Sequence, residues 1–207
     1  MIRKYAVLLC LVTAAVLIIV ATALYPGGSL YDKHTAGFDW SRNFFSNLFQ
    51  ESAMNGMINK GRVWAMTGMA IYGLGNGLFF MHMAKKLHSK HASLVLKGIG
   101  FAIVIVNFLV ATPLHDIMVT LSSTLSMLGI FYITIFIFRT KLHLFKIVCV
   151  LCMLLFYYTL FLYGVGDWGL LAIMQKLSLL SATMLVLALE YFTNAEDFKQ
   201  VANRSKP

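Results

Sequence analysis

Lys176 and Asp116 are the ionisable side chains around which a chemical site is most readily built in this 207-residue chain. A charge placed in or beside an apolar helix is costly and needs an anion, a cation or water close by. Lys176 stands about six residues, or ~9 Å at the helical rise, into the last of several long apolar runs. Its anion would be Asp116, at the start of the fourth run, or Asp167, just before the sixth. The pairing with Asp116 is favoured because it would join two helices, and a lysine that merely snorkels to the surface is the alternative.

His115 precedes Asp116 and Ser46 lies in a long connection on the same side of the chain. These types could carry acyl chemistry, with His115 as general base, Ser46 or an activated water as nucleophile, and Asp116 and Lys176 supplying charge. Asp116, Thr120, Ser123 and Thr124 recur at i, i+4, i+7 and i+8, which puts their oxygens on one helix face. Gln175, Ser178 and Ser181 form a second polar stripe, and the two could line a shallow wet cavity. Plain packing with backbone-bonded hydroxyls is the competing reading. The candidate ligand-binding set is Lys176, Asp39, Trp40, Asn43, Asn47, Thr120, Gln175 and Asp167. Of the six histidines, His34 and His115 are on that side, too few for a three-histidine zinc site. No metal and no cofactor is expected, haem included, since no two histidines share a depth on different runs.

The elements that must position these groups are six apolar stretches, at about 5–25, 63–83, 94–111, 117–138, 144–163 and 170–191. A helix needs about 20 apolar residues to cross a hydrocarbon core of roughly 30 Å. With 59% hydrophobic and 12% charged residues and a mean hydropathy of +0.78, the composition belongs to a membrane protein and not to a soluble domain. Lipid admits helices or closed barrels, and the runs lack the alternation of barrel strands. The expected fold is all-α: a polytopic bundle of six transmembrane helices over 1–193, followed by a frayed cytoplasmic tail over 194–207. Arg3, Lys4 and the small residues Ala21, Thr22 and Ala23 give the first run a signal-peptide flavour, but its length favours a retained helix.

Placing both termini in the cytoplasm puts 12 of the 17 Lys and Arg side chains inside and four outside, with Lys176 within a span. Trp40, Trp64 and Trp168 then fall at the outer ends of helices, the headgroup layer that suits indole rings. The expected location is therefore an inner (plasma) membrane, with both termini cytoplasmic. The net charge of +9 follows from this bias and from attraction to anionic lipids, so no nucleic-acid partner is expected. Membrane lipids are the expected partners, with a protein partner or a homo-oligomer possible. Cys10, Cys149 and Cys152 lie within spans and read as packing residues. Gly73 and Gly77 form a G-x-x-x-G face at a depth similar to Gly100, which would let the second and third helices approach closely.

The outer loop, 26–62, is the one long connection, and specificity is sought there. Pro26-Gly27-Gly28 should stop the first helix. Trp40, Phe44, Phe45, Leu48 and Phe49 recur at helical spacing, with Asp39 or Ser41 as cap, so a short interfacial helix is expected. The run Tyr25-Pro26-Gly27-Gly28, then Gly37-Phe38-Asp39-Trp40 and Asn43-Phe44-Phe45-Ser46-Asn47-Leu48, resembles the outer loop of a bacterial six-helix membrane family known as domain of unknown function 998. That family is distantly similar to the eukaryotic Frag-type and DRAM-type membrane proteins. The chain departs from its pattern at Asn47, where Asp is usual, and at Phe49, where Gly often stands. The resemblance implies six spans and a lipid-related role without assigning a reaction. The expected function is a lipid- or partner-binding helical bundle; a lipid-modifying hydrolase or acyltransferase is the alternative, and a small transporter a further one.

Overall fold

The computed structural model describes residues 2–110, 112 and 114–199, with the side chains of Ile2, Arg3, His115 and Asp116 outside the described set. It is all-helical, with six long helices: α1 (Ile2–Ala23), α2 (Arg62–Lys86), α3 (Lys90–Leu109), α4 (His115–Phe138), α5 (His143–Val165) and α6 (Trp168–Phe192). Each overlaps one predicted stretch. Five, all but α2, are long and apolar enough to cross a membrane, which marks the chain as an integral membrane protein.

The helices end where local chemistry stops them. Past Ala23 the chain turns through Pro26, Gly27 and Gly28, and both glycines have positive φ, 136° and 82°. A Cβ on Gly28 would lie 2.7 Å from the carbonyl carbon of Met54, so the turn needs glycine for space as well as for conformation. Gly166 closes α5 in the left-handed region at φ 78°, its N–H donating to the Leu162 carbonyl at 3.0 Å. Asp167 then opens α6 by accepting from the Leu170 N–H at 3.1 Å.

Neighbouring helices are antiparallel, and α2 is the hub. Gly77 and Gly100 face each other so closely that a Cβ on Gly77 would sit 2.9 Å from the Gly100 carbonyl oxygen, as the glycine spacing leads one to expect. On another side, a Cβ on Gly75 would meet that of Cys10 at 2.9 Å and one on Gly61 the Ala21 carbonyl oxygen at 2.5 Å, which brings α1 equally near. This position explains the lower apolarity of α2. A helix screened by α1 and α3 can carry four glycines, Asn76 and His82, whereas lipid-facing helices bury little of their own apolar surface inside the protein. α3 and α4 meet through Asn107, whose Nδ2 donates to Ser122 Oγ at 2.8 Å. α5 and α6 meet through the Thr159 and Ser178 hydroxyls at 2.6 Å. α6 closes the bundle against α2 and α1, far more sparsely than α2 touches α1 or α3.

Two apolar clusters fill the interior. The larger, around Phe79, Phe80, Met83, Leu96, Ile133, Leu185 and Leu189, occupies the end that carries the termini. The smaller, at the end that carries the long connection, joins Ala21, Tyr25 and Ala65 to Leu48, Phe49 and Ala53 of that connection. The tail differs from the expectation of fraying from residue 194 onward. Glu196–Phe198 forms a single 3-10 turn and Phe198, 1% exposed, plugs the larger cluster. Residues 200–207 of the predicted tail lie outside the described residues.

Candidate functional site

The long connection folds into a cap, and Asn43 ties it together. This side chain is fully buried. Its Nδ2 donates to the Gly28 carbonyl at 2.9 Å, its Oδ1 accepts from the Asp39 N–H at 2.8 Å, and its own N–H donates to the Asp39 carbonyl at 2.8 Å. One amide thereby joins the Pro-Gly-Gly turn to the Asp39 turn. Asp39 accepts from both the N–H and the hydroxyl of Ser41, at 2.8 and 2.6 Å. The Ser41 hydroxyl, aided by its N–H and by Arg42 against slight dehydration, holds the Asp39 carboxyl below the usual carboxylate range.

The helical spacing over 40–49 yields one 3-10 turn, Phe45–Phe49, rather than an amphipathic helix. Its N-cap position is Phe44 and not Asp39 or Ser41, and Asn47, the third residue of the turn, reaches back so that its Oδ1 accepts from the Phe44 N–H at 2.7 Å. Leu48 and Phe49 point into the bundle, so the turn is anchored by burial. Asn59 holds the far side of the cap by donating to the Leu48 and Gln50 carbonyls at 2.9 and 3.0 Å.

Lys176 and Gln175 fasten this cap to α6. The Lys176 ammonium donates to the Asn43 carbonyl at 2.5 Å and to the Ala172 carbonyl at 2.6 Å. It also lies 5.8 Å from the Phe38 ring centre and 5.6 Å from that of Phe45. Phe38, Phe45 and Trp40 pack edge-on and stacked on one another, so the cation enters an aromatic box. Beside it, Gln175 Oε1 accepts from the Phe45 N–H at 3.0 Å. Among the described residues, carbonyls and rings are what hold the Lys176 ammonium. Asp167, its alternative anion, caps its own helix, and the side chain of Asp116, the favoured one, lies outside the described residues.

The other predicted site residues are dispersed. Ser46 is half-buried in the 3-10 turn; the side chain of His115, its predicted base, is also outside the described residues. Thr120, Ser123 and Thr124 turn to the surface of α4, and the Thr124 hydroxyl donates back to the Thr120 carbonyl at 2.9 Å. Thr120 and Thr124 line an open groove with Ile117 and Leu121. In this part of α4 the buried hydroxyl is that of Ser122, which accepts from Asn107. Ser178 and Ser181 turn to Thr159 and Cys152 of α5, so the two stripes face different neighbours. Among the described residues no group of three metal-ligating side chains converges.

Glu190, which the sequence reading passed over, lies near the end of α6, 7% exposed at its side chain, with Oε1 2.6 Å from Nδ1 of His82 on α2. Lys86, one turn beyond His82, donates to the Leu189 and Glu190 carbonyls at 2.9 and 2.7 Å and to the Thr193 hydroxyl at 3.3 Å. The signal was present: an acid inside an apolar run, and a histidine and a lysine at the matching end of another.

No family model, no curated protein and no solved structure matches the chain. The resemblance of its cap to the six-helix family consequently stands on the quoted motifs. Those motifs have a physical content of their own here. Gly28, Asp39, Asn43 and Asn47 are among the residues that bond the cap internally, and Phe38 and Phe45 supply the rings that receive Lys176.

Proposed function

We propose that the chain is a six-span protein of a bacterial inner membrane, with both termini cytoplasmic, that binds lipid at its outer face. α2, at 25 residues or ~37 Å, is long enough to be the sixth span, and its glycine contacts with α1 and α3 require it to share their depth. Trp40, Trp64 and Trp168 gather at the end that carries the cap, and most basic residues at the other, as the positive-inside rule asks.

The observation that carries the lipid reading is the construction of the cap. A disordered loop would let its aromatic residues find their own burial. Here Lys176 and Gln175 hold the connection down while Trp40, Tyr31 and Leu30, each more than half exposed, stay on its surface. Next to them Tyr31, Ser41, Arg42 and Gly169 border a shallow cleft of about 400 Å³. A rigid apolar rim with a basic and a hydroxyl group at headgroup depth fits a phospholipid: rings for the upper acyl chain, Arg42 for the phosphate.

The test uses Trp64→Phe/Trp168→Phe protein in lipid nanodiscs, leaving Trp40 as the fluorophore. Lipids carrying a quencher near the headgroup should quench Trp40 more strongly than lipids quenched deep in the chain. Absence of quenching from either depth would remove lipid contact at the cap. Cysteines introduced at Ser41 and His88, on a background without the three native ones, report the orientation. Ser41→Cys should react with an impermeant reagent on intact cells, and His88→Cys should react after permeabilisation alone.

A further inference from the structure

Glu190 and His82 form an arrangement that headgroup binding at the cap does not use. The Glu190 carboxylate has one oxygen on His82 Nδ1, while Oε2 is buried without any hydrogen-bond donor. A buried carboxylate oxygen left unpaired is costly, because water no longer solvates it and nothing replaces the water. Lys86 is close enough to act electrostatically on Glu190, yet its ammonium donates to the α6 carbonyls and Thr193, leaving the carboxylate to the imidazole. The charge of that imidazole depends on a proton.

We propose that Glu190 and His82 form a proton-binding site that holds one proton and thereby latches α6 to α2 at the end carrying the termini. With one proton shared between His82 Nδ1 and Glu190 Oε1 the dyad is neutral overall, whichever of the two atoms holds it. When the proton leaves, the pair becomes a buried anion with an unpaired oxygen. The exit is through the imidazole, since the His82 side chain is 30% exposed and that of Glu190 7%, and the proton passes to water. Imidazole is the side chain that makes this exchange between about pH 5 and pH 8. Among the described residues, the other charged or titratable groups near the latch are Lys86 of α2, Asp197 of the turn after α6, Tyr191 of α6, and Lys4 and Tyr5 of α1, the last stacked on Tyr191.

The latch sits on the seam that can yield. α2 meets α1 and α3 by backbone approach at glycines, whereas it meets α6 more sparsely and by side chains: His82, Lys86, a Tyr72 hydroxyl that bonds Thr183, and the apolar groups that Phe79, Met83, Leu185 and Leu189 bring to the larger cluster. Hydrating the deprotonated carboxylate requires opening this seam and breaks no glycine contact. Stability contributed by the latch is present while the proton is bound and is lost as pH rises past its release.

The experiment uses the full chain in nanodiscs. Amide hydrogen exchange over 189–193, corrected for the intrinsic chemical rate, is followed between about pH 5 and pH 8, beside the NMR titration of ring-labelled His82. The wild type should exchange at least ~10-fold faster at the upper end, which corresponds to a tenfold change in the opening equilibrium. Glu190→Gln, a permanently neutral stand-in for the protonated acid, should remain slow throughout and move the His82 titration to lower pH. His82→Phe should be fast throughout. Equal exchange in wild type and Glu190→Gln at every pH, or a His82 titration indifferent to Glu190→Gln, would overturn the proposal. Should His82→Phe fail to fold, the wild-type and Glu190→Gln pair decides alone.

Discussion

Replacing Lys176 by Met removes the ammonium that holds the cap to α6 while keeping a flexible apolar stem against Phe38 and Phe45. The ammonium gives one charge-assisted bond across the gap, to the Asn43 carbonyl, and lies over two rings. A bond from a charged donor contributes about 1.5–3 kcal/mol, and each ring contact at a partly exposed site about 0.5–1 kcal/mol. Met spares the protein the dehydration of a half-buried cation, which offsets part of that sum. A net loss of about 2 kcal/mol is a factor of roughly 30 in the equilibrium for lifting the cap. Hydrogen exchange reads this directly, because the amides of Asn43, Phe44 and Phe45 are bonded to Asp39, Asn47 and Gln175 inside the cap. Those three should exchange about 30-fold faster in Lys176→Met, with helix amides in α2 and α3 unchanged. Unchanged protection at Asn43 and Phe45 would refute the view that Lys176 is the fastening, and equal acceleration throughout α2 and α3 would mean that the whole bundle had loosened.

Gly77→Ala and Gly100→Ala should each lower the thermal midpoint in detergent, by an overpacking cost of about 1–3 kcal/mol, because each Cβ meets a backbone oxygen of the opposite helix. Gly98→Ala, with nothing within 4 Å of its added Cβ, should raise it slightly by the helix-propensity gain of about 0.5–1 kcal/mol. Ser122→Ala removes one of the two acceptors of the Asn107 amide, the Ile103 carbonyl being the other, and should cost about 1 kcal/mol in the same assay. The Asp39 carboxyl is held low, so its contribution to the cap is present above the ordinary carboxylate pKa and lost as pH falls through the lowered folded value. Ser41→Ala removes the largest cause of that lowering, and the acid-induced change in Trp40 fluorescence should then begin at higher pH.

The helices were legible because apolar length is a property of sequence alone. Their rotation about their own axes was not. Thr120, Ser123 and Thr124 form a regular stripe, but a hydroxyl that can bond its own helix backbone has little cost at a lipid-facing surface. Ser122, off the stripe, is buried because Asn107 of α3 arrives there. The partner of Lys176 was sought among carboxylates, since only charges can be matched by reading types along a chain. Backbone carbonyls and ring faces are invisible to that search, and they are what hold the ammonium. The segment 40–49 misled for a related reason: spacing reveals which side chains are apolar but not that Leu48 and Phe49 would be buried in the bundle instead of lying at an interface. Glu190 needed nothing more than the rule already applied to Lys176.

The cap narrows where a ligand can be met. Asp39, Asn43, Asn47, Gln175 and Lys176 were singled out as polar groups with chemistry to offer, and each spends that chemistry on the protein. A carbonyl or ammonium already bonded inside a packed cap can reach a ligand only by giving up its bond, and the cap would loosen as it did so. Contact that leaves the cap intact therefore falls to groups whose surfaces are still exposed, the Trp40 and Tyr31 rings and the Arg42 guanidinium beside their cleft. Arg42 is only loosely engaged, 3.9 Å from Asp39 and half exposed, so a phosphate could draw it away at little cost. The buried motif residues then determine the shape of the cap, and the surface it leaves exposed is that of Trp40, at the edge of the motif, and of Tyr31 and Arg42 outside it.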